Sequence, residues 1–256
     1  MAPGTEETGA IPTTAVTVGL QEGVAWITLD GPERRNALDA ASARALIDAC
    51  ESIDADESIG AAVITGTGRA FCSGADTEAL ARVRTAAPDQ AYELLDRLYS
   101  GFRRFAMLTV PTLAVVNGPA VGAGLNLALC ADMRVGTPHA LFVSGFAPLG
   151  IHPGGGHMHL IDRIAGAGAA AHLAVFGRAV RADAALACGL LAEILEEETW
   201  RDTVAEMTAH LGRDPELARS LKSDLRRTVI DTTAWDRAME SERARQMWSL
   251  ARRKEP

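Results

Sequence analysis

Between Phe105 and Ile161 only Asp132 and Arg134 carry a full charge at neutral pH. A stretch so poor in charge must be buried, either in a bilayer or in the centre of a folded core. Pro111, Pro119, Pro148, Pro153 and repeated glycines cut it into pieces shorter than the ~20 apolar residues that span a bilayer. It is therefore read as a buried centre with no membrane span. Inside it, Thr112–Val116 is short, apolar and rich in β-branched residues, as suits a strand covered on both faces. Asn117-Gly118-Pro119 breaks that strand, and Gly122-Ala123-Gly124 opens an apolar helix over 125–131. Such a helix start offers free N–H groups between small residues, where an acyl carbonyl oxygen could collect negative charge. Small residues there suit close helix packing equally well, and this pattern alone leaves both readings open.

The rest of the chain bounds the partners. A net charge of -8 and a pI near 5.3 argue against a nucleic-acid partner, RNA included. Hydrophobic residues make up 48% of the 256, enough for a sizeable core. Cys50, Cys72, Cys130 and Cys188 are widely spaced with no CxxC pair, which points to buried thiols in a reducing compartment. Residues 1–15 have neither the basic start nor the apolar segment of a signal peptide. They are read as a flexible tail, and the protein as cytoplasmic.

Strands are expected over 16–19 and 24–29 with a turn at Gln21-Glu22-Gly23. Asp39 is placed to cap a helix over 40–53, and a buried strand follows over 59–65. A glycine loop leads to a helix over 77–83, and the 88–107 segment sets Tyr92, Leu95, Leu98, Tyr99, Phe102 and Phe105 on one helical face. Further strands are expected over 133–135 and 141–143. Alternation of strand and helix over two rounds predicts an α/β fold with parallel strands. Beyond Gly154 the strand signal stops, and helices are expected over 155–164, 169–176, 182–188, 200–211, 215–229 and 235–252.

Two loops share one design, Phe71-Cys-Ser-Gly-Ala-Asp76 and Asn117-Gly-Pro-Ala-Val-Gly-Ala-Gly124: a buried strand, a glycine break, then small residues opening a helix. On neighbouring parallel strands they would end at one sheet edge, so that two backbone N–H groups could meet on one oxygen. With Arg35-Asn36-Ala37-Leu38, Gly68-Arg-Ala-Phe-Cys-Ser-Gly-Ala-Asp76, the segment from Val116 to Asp132 and Leu149-Gly-Ile-His-Pro-Gly-Gly-Gly156, in that order, the chain resembles the crotonase superfamily, also called the enoyl-CoA hydratase/isomerase family. The resemblance covers Val16 to Pro256. It implies the crotonase (ClpP/crotonase-like) spiral of ββα units, with a core over 16–195 that holds an acyl-CoA site. It also implies a helical region over 196–256, containing Trp200, Trp235 and Trp248, that builds a homotrimer or hexamer.

By the same resemblance, Ala75 and Ala123 match the family's two oxyanion-hole positions, and Arg35, Ala37, Ser73 and Asp76 fall where the CoA moiety is cradled. Coenzyme A enters as part of the substrate, and no separate cofactor is implied. The two glutamates with which the family's hydratases activate water correspond here to Asn126 and Phe146. Asn126 lies three residues beyond Ala123, one helical turn away. An amide can orient water but cannot act as a base near neutral pH, and phenylalanine can do neither.

His152 and His157 flank Pro153-Gly-Gly-Gly156 beside the implied site and are candidate proton carriers. They could equally cap or pack the helix that follows. Asp76, Glu78 and Ser144 are further candidates, each read as structural or CoA-facing. His157 and His159 diverge on a helix, so no metal site is expected. Gly166-Ala-Gly168 follows no strand, no Gly-x-Ser-x-Gly elbow is present, and Cys72 has no basic neighbour in sequence. The resemblance implies an acyl-CoA enzyme of fatty-acid-type metabolism that stabilises an enolate. The reaction is left open between hydration or isomerisation by unusual groups, hydrolysis and decarboxylation. A non-catalytic acyl-CoA-binding paralogue is the rival reading.

Overall fold

The computed structural model describes residues 13–228 and 232–252. In chain order the strands are β1 (Ala15–Gln21), β2 (Val24–Asp30), β3 (Ala61–Gly66), β4 (Thr112–Val116), β5 (Pro119–Val121), β6 (Met133–Gly136), β7 (Leu141–Val143), β8 (Val180–Arg181) and β9 (Glu193–Ile194). The helices are α1 (Ala40–Ala55), α2 (Thr77–Thr85), α3 (Pro88–Ala106), α4 (Ala123–Leu129), α5 (His157–Ala170), α6 (Ala182–Ala187), α7 (Trp200–Arg213), α8 (Pro215–Thr228) and α9 (Thr232–Ala251). Of the segment read as a tail, residues 1–12 lie outside the described residues. Thr14 is buried and donates its hydroxyl to Ala37 O at 2.6 Å. Position 229, expected to end a helix, also lies outside the described residues, as do positions 253–256 of the C-terminal region.

Glu22 and Gly23 both have positive φ, 49° and 76°. That two-residue turn matches the twist of a hairpin and folds β1 antiparallel onto β2. The remaining neighbours in the order β2-β3-β4-β6-β9 are parallel. Alternate residues of these strands enter two cores: Ile27, Ile64 and Val116 face the large one, while Trp26, Val63 and Val115 face a smaller one closed by Val204 of α7. Cover on both faces is why the strands read as unbroken apolar runs. A second small sheet, β5-β7-β8, stands beside the first.

Asp39 caps α1 as expected, accepting from Ala41 N and Ser42 N while Ser42 Oγ accepts from Asp39 N in a capping box. Tyr92 is a correction: it is exposed, and the Arg243 guanidinium lies 4.3 Å from its ring centre. Beyond Gly154 the chain does form strands, β8 and β9, each only two residues long and so without a readable period. The helices expected over 155–164 and 169–176 are continuous, broken only at Gly166 (φ 79°) and passing into a π turn at Ala171–Val175.

The C-terminal helix α9 folds back on its own chain. Trp235 Nε1 donates to Gly155 O at 3.1 Å and Gln246 Oε1 accepts from Tyr99 OH at 2.8 Å. Trp200 lies against Trp26, and Trp248 is exposed. Among the described residues no helix is long and apolar enough to cross a membrane.

Candidate functional site

Strands β3 and β4 pair in parallel, with Ala62 opposite Thr112 and Ile64 opposite Ala114, so they end at the same sheet edge. Asn117 ties those ends by donating Nδ2 to Gly66 O at 2.9 Å. The loops that follow then run side by side through a bridge between Cys72 and Ala120. In the first loop Leu38 N donates to Gly74 O (2.7 Å) and Asp76 N donates to Leu38 O (2.8 Å). A parallel bridge of this form turns the N–H of the intervening residue, Ala75, to the opposite side. In the second loop Ala123 is the first residue of α4, whose N–H has no acceptor within the helix. Among the described residues neither N–H donates to a protein acceptor. The approach requires glycine at position 74 (φ 89°), where a Cβ would stand 2.5 Å from Val121 O and 3.4 Å from Ala123 N.

Asn36 holds the first loop. It is fully buried at φ 56°, accepts from Gly31 N (2.9 Å) and donates to Thr67 O (2.9 Å) and Ala70 O (2.8 Å). Asparagine suits this place because it tolerates the left-handed region and both donates and accepts. Around it lie the four residues that the resemblance assigns to CoA. Arg35 is exposed and its carbonyl accepts from Ser73 N (2.9 Å); the carbonyl of buried Ala37 accepts from Thr14. Ser73 Oγ donates to Arg34 O (3.2 Å). Asp76 caps α2 and pairs with Arg34 at 2.7 Å. Burial works to raise the Asp76 carboxyl, but the Arg34 guanidinium and the helix N–H groups hold it below the usual carboxylate range.

Ala75 and Ala123 border a pocket with about 580 Å³ of space not filled by atoms, part of it open to solvent. Leu95, Leu98, Phe146, Ile151 and Leu250 make most of its wall apolar. Among the described residues no carboxylate, imidazole, ammonium, guanidinium or thiol borders it. Its polar side chains are Ser73, Tyr99, Gln246 and Ser144. Cys72 lies beneath, fully buried, and desolvation pushes its thiol up to about 12, unsuited to nucleophilic use.

Asn126 does not border the pocket. It is fully buried, and its Nδ2 donates to Gly154 O at 2.9 Å. A carbonyl can only accept, which orients the amide, so Asn126 Oδ1 accepts from His157 Nδ1–H at 2.6 Å. The tautomer of His157 follows: Nε2 is bare and accepts from Ser144 Oγ–H at 2.8 Å. His157 is fully buried with its ring edge-on to Phe146, centroids 5.1 Å apart. Burial pulls its pKa down to about 3, and its place at the start of α5 disfavours an imidazolium further. Glu242 of α9 receives the N–H groups of His157 (2.8 Å) and Met158 (2.9 Å), fixing that helix start. The glycine run explains itself here. A Cβ on Gly155 would lie 2.8 Å from Asn126 Nδ2, and one on Gly154 2.5 Å from the Tyr99 hydroxyl.

Of the predicted residues, the structure brings together Ala75, Ala123, Phe146 and Ser73 around the pocket, with Asn126 and His157 behind its wall. His152 stands apart in another recess beside Trp248 and Arg252, its N–H donating to Ser249 Oγ at 2.8 Å. Ser144 and Glu242 gain their places from packing; the only local signal for Ser144 is its position two residues before Phe146. Among the described residues no three His, Cys, Asp or Glu side chains are grouped to hold a metal.

Known proteins resemble this chain in sequence and in fold. A probable enoyl-CoA hydratase of Mycobacterium tuberculosis is 41% identical over 182 residues, 71% of this chain and 70% of that protein. The 1,2-epoxyphenylacetyl-CoA isomerase of Escherichia coli is 34% identical over 198 residues, 77% and 75% of the two chains. The crystal structure of an enoyl-CoA hydratase/isomerase from Xanthobacter autotrophicus superposes with a TM-score of 0.85 at 29% identity, covering 94% of this chain and 88% of that one. The sequence pattern of the enoyl-CoA hydratase/isomerase family matches residues 19–255. With that span matched from β1 through α9 and the fold shared throughout, the chain is a crotonase-fold member of the enoyl-CoA hydratase/isomerase family.

Proposed function

We propose that this chain is an acyl-CoA-processing enzyme that holds the thioester carbonyl oxygen between the N–H groups of Ala75 and Ala123. The observation that carries this is the convergence of two N–H groups from separate loops, without a protein acceptor among the described residues, at the wall of one apolar pocket. Donors set in place before reaction, in a wall that excludes water, stabilise charge developing on that oxygen, in an enolate or in a tetrahedral adduct. Arg35, Ala37, Ser73 and Asp76 lie on the side from which CoA enters. Asn126 and Phe146 stand in for the glutamate pair, so hydration by two carboxylates is not the reaction.

Crotonyl-CoA tests both parts at once. Its conjugated absorbance is expected to shift to the red on binding, with no 3-hydroxybutyryl-CoA formed. Absence of binding would refute the acyl-CoA site, and rapid formation of 3-hydroxybutyryl-CoA, seen by chromatography, would refute the claim that hydration is not the reaction.

A non-catalytic acyl-CoA-binding role is the second reading, favoured by a pocket that no carboxylate borders among the described residues. Tight binding with no turnover of any ester would establish it. The exposed Leu217, Leu221 and Leu225 of α8 and exposed Phe176 support a trimer or hexamer, which sedimentation velocity tests.

A further inference from the structure

Three hydroxyl groups border the pocket, and their partners differ. Tyr99 OH donates to Gln246, and burial raises it far above its ordinary value. Ser73 Oγ donates to the carbonyl of Arg34. Ser144 alone donates to a base, the bare Nε2 of His157. The opposite nitrogen of that ring is held by Asn126, whose amide is in turn fixed by Gly154. Hydroxyl, imidazole and amide thus form one chain of hydrogen bonds whose Ser144 end borders the pocket containing Ala75 and Ala123, the order of groups in a nucleophile–base–orienter relay.

We infer that Ser144 is a nucleophile, activated by His157 and Asn126, and that the chain hydrolyses acyl-CoA thioesters through an acyl-Ser144 intermediate. This rests on the reading of Ala75 and Ala123 given above. Ser144 Oγ bonds to the thioester carbonyl carbon while its proton passes to His157 Nε2, whose imidazolium burial disfavours until negative charge develops beside it on the carbonyl oxygen. The carbonyl oxygen takes the electron pair and is held by the two N–H groups. Collapse of the adduct breaks the C–S bond, and the departing sulfur takes the proton from Nε2 as CoA thiol. A water molecule then gives a proton to Nε2 and its oxygen bonds to the acyl carbon. Ser144 leaves with the proton returned, so acyl-CoA and water become a carboxylic acid and CoA thiol. With no charged side chain on the pocket wall among the described residues, the acyl groups accepted are uncharged and largely apolar, not dicarboxylic.

The test uses the full chain with butyryl-, octanoyl- and benzoyl-CoA, measuring free CoA by chromatography and mapping acid-quenched protein by mass. The expected result is CoA release with one acyl group on the Ser144 peptide. Ser144→Ala lowers release by about 10³-fold or more, and His157→Gln does likewise. Both variants still bind crotonyl-CoA with its red shift. A fluorophosphonate, which loses fluoride on phosphonylating an activated serine, labels Ser144 in the wild type but not in His157→Gln, whatever acyl group the enzyme prefers. Release that survives Ser144→Ala overturns the inference. So does a wild type that binds and red-shifts crotonyl-CoA yet neither releases CoA nor accepts the fluorophosphonate. In both cases the reading of Ala75 and Ala123 stands. A wild type that neither binds nor shifts crotonyl-CoA sinks that reading and the inference together.

Discussion

Just past the C-terminal end of α4, Asp132 accepts from Thr112 N (2.8 Å) and Thr112 Oγ1 (2.9 Å) and pairs with the ammonium of Lys222, a residue of α8 that is almost wholly buried. One turn into the same helix, Asn126, His157 and Ser144 form a cluster more fully removed from water than Asp132 and without formal charge. The first cluster locks a helix onto the sheet, because a buried charge is tolerated only with its partner in place. The second is held in a single tautomer, and Ser144 at its end borders a pocket. One helix thus carries a structural ion pair at one end and the proposed catalytic hydrogen-bond chain near the other, and what separates them is charge.

Lys222→Met tests the first device most directly. It leaves the part-buried Asp132 without the ammonium it pairs with and should cost up to about 3 kcal/mol in denaturant unfolding, with turnover per folded molecule unchanged. Adding Asp132→Asn should recover most of that loss, and failure to recover would deny that charge is the issue. Gly74→Ala acts on the pocket side. The new Cβ must push the first loop away from Val121, so the Ala75 N–H leaves its place and turnover falls by roughly 10² to 10³-fold.

Acid provides the sharpest contrast. His157 is neutral in the fold, with its pKa pulled down to about 3, and it gains a proton near 6.5 once unfolded. Its contribution to stability is therefore complete above about pH 6.5 and shrinks by about 1.4 kcal/mol per pH unit below it, because the unfolded chain binds the extra proton. Unfolding measured from pH 7 to 4 should show this extra slope in the wild type and lose it in His157→Gln, while turnover of the folded wild type should lack an acid limb near pH 6.5. Thr112→Val is the smallest change. It removes one hydroxyl from Asp132 at a cost of about 1 kcal/mol, readable as a small shift of the unfolding midpoint.

Much of the frame was legible along the chain. The strand at Thr112–Val116, the cap at Asp39 and the two glycine-broken loops rest on residues adjacent in sequence, where β-branching, capping and freedom of φ act locally. Tyr92 misled because a helical face says which residues align, not how far the neighbouring elements extend over them. The strands at Val180–Arg181 and Glu193–Ile194 are too short to leave a pattern. His152 and His157 looked alike in sequence, five residues apart around a glycine run, yet one lies in a recess near Trp248 and the other is buried behind Ser144.

Sequence alone determined the alternation of strand and helix, the burial of the stretch around α4 and the family resemblance, because each depends on residue type and near spacing. Tertiary structure decided which histidine meets a hydroxyl, which way the Asn126 amide points and that Glu242, 85 residues beyond His157, fixes the start of α5. Hydrogen bonds between side chains from separate elements form only over a few tenths of an ångström and a narrow angle. Packing, which no local pattern encodes, sets those coordinates.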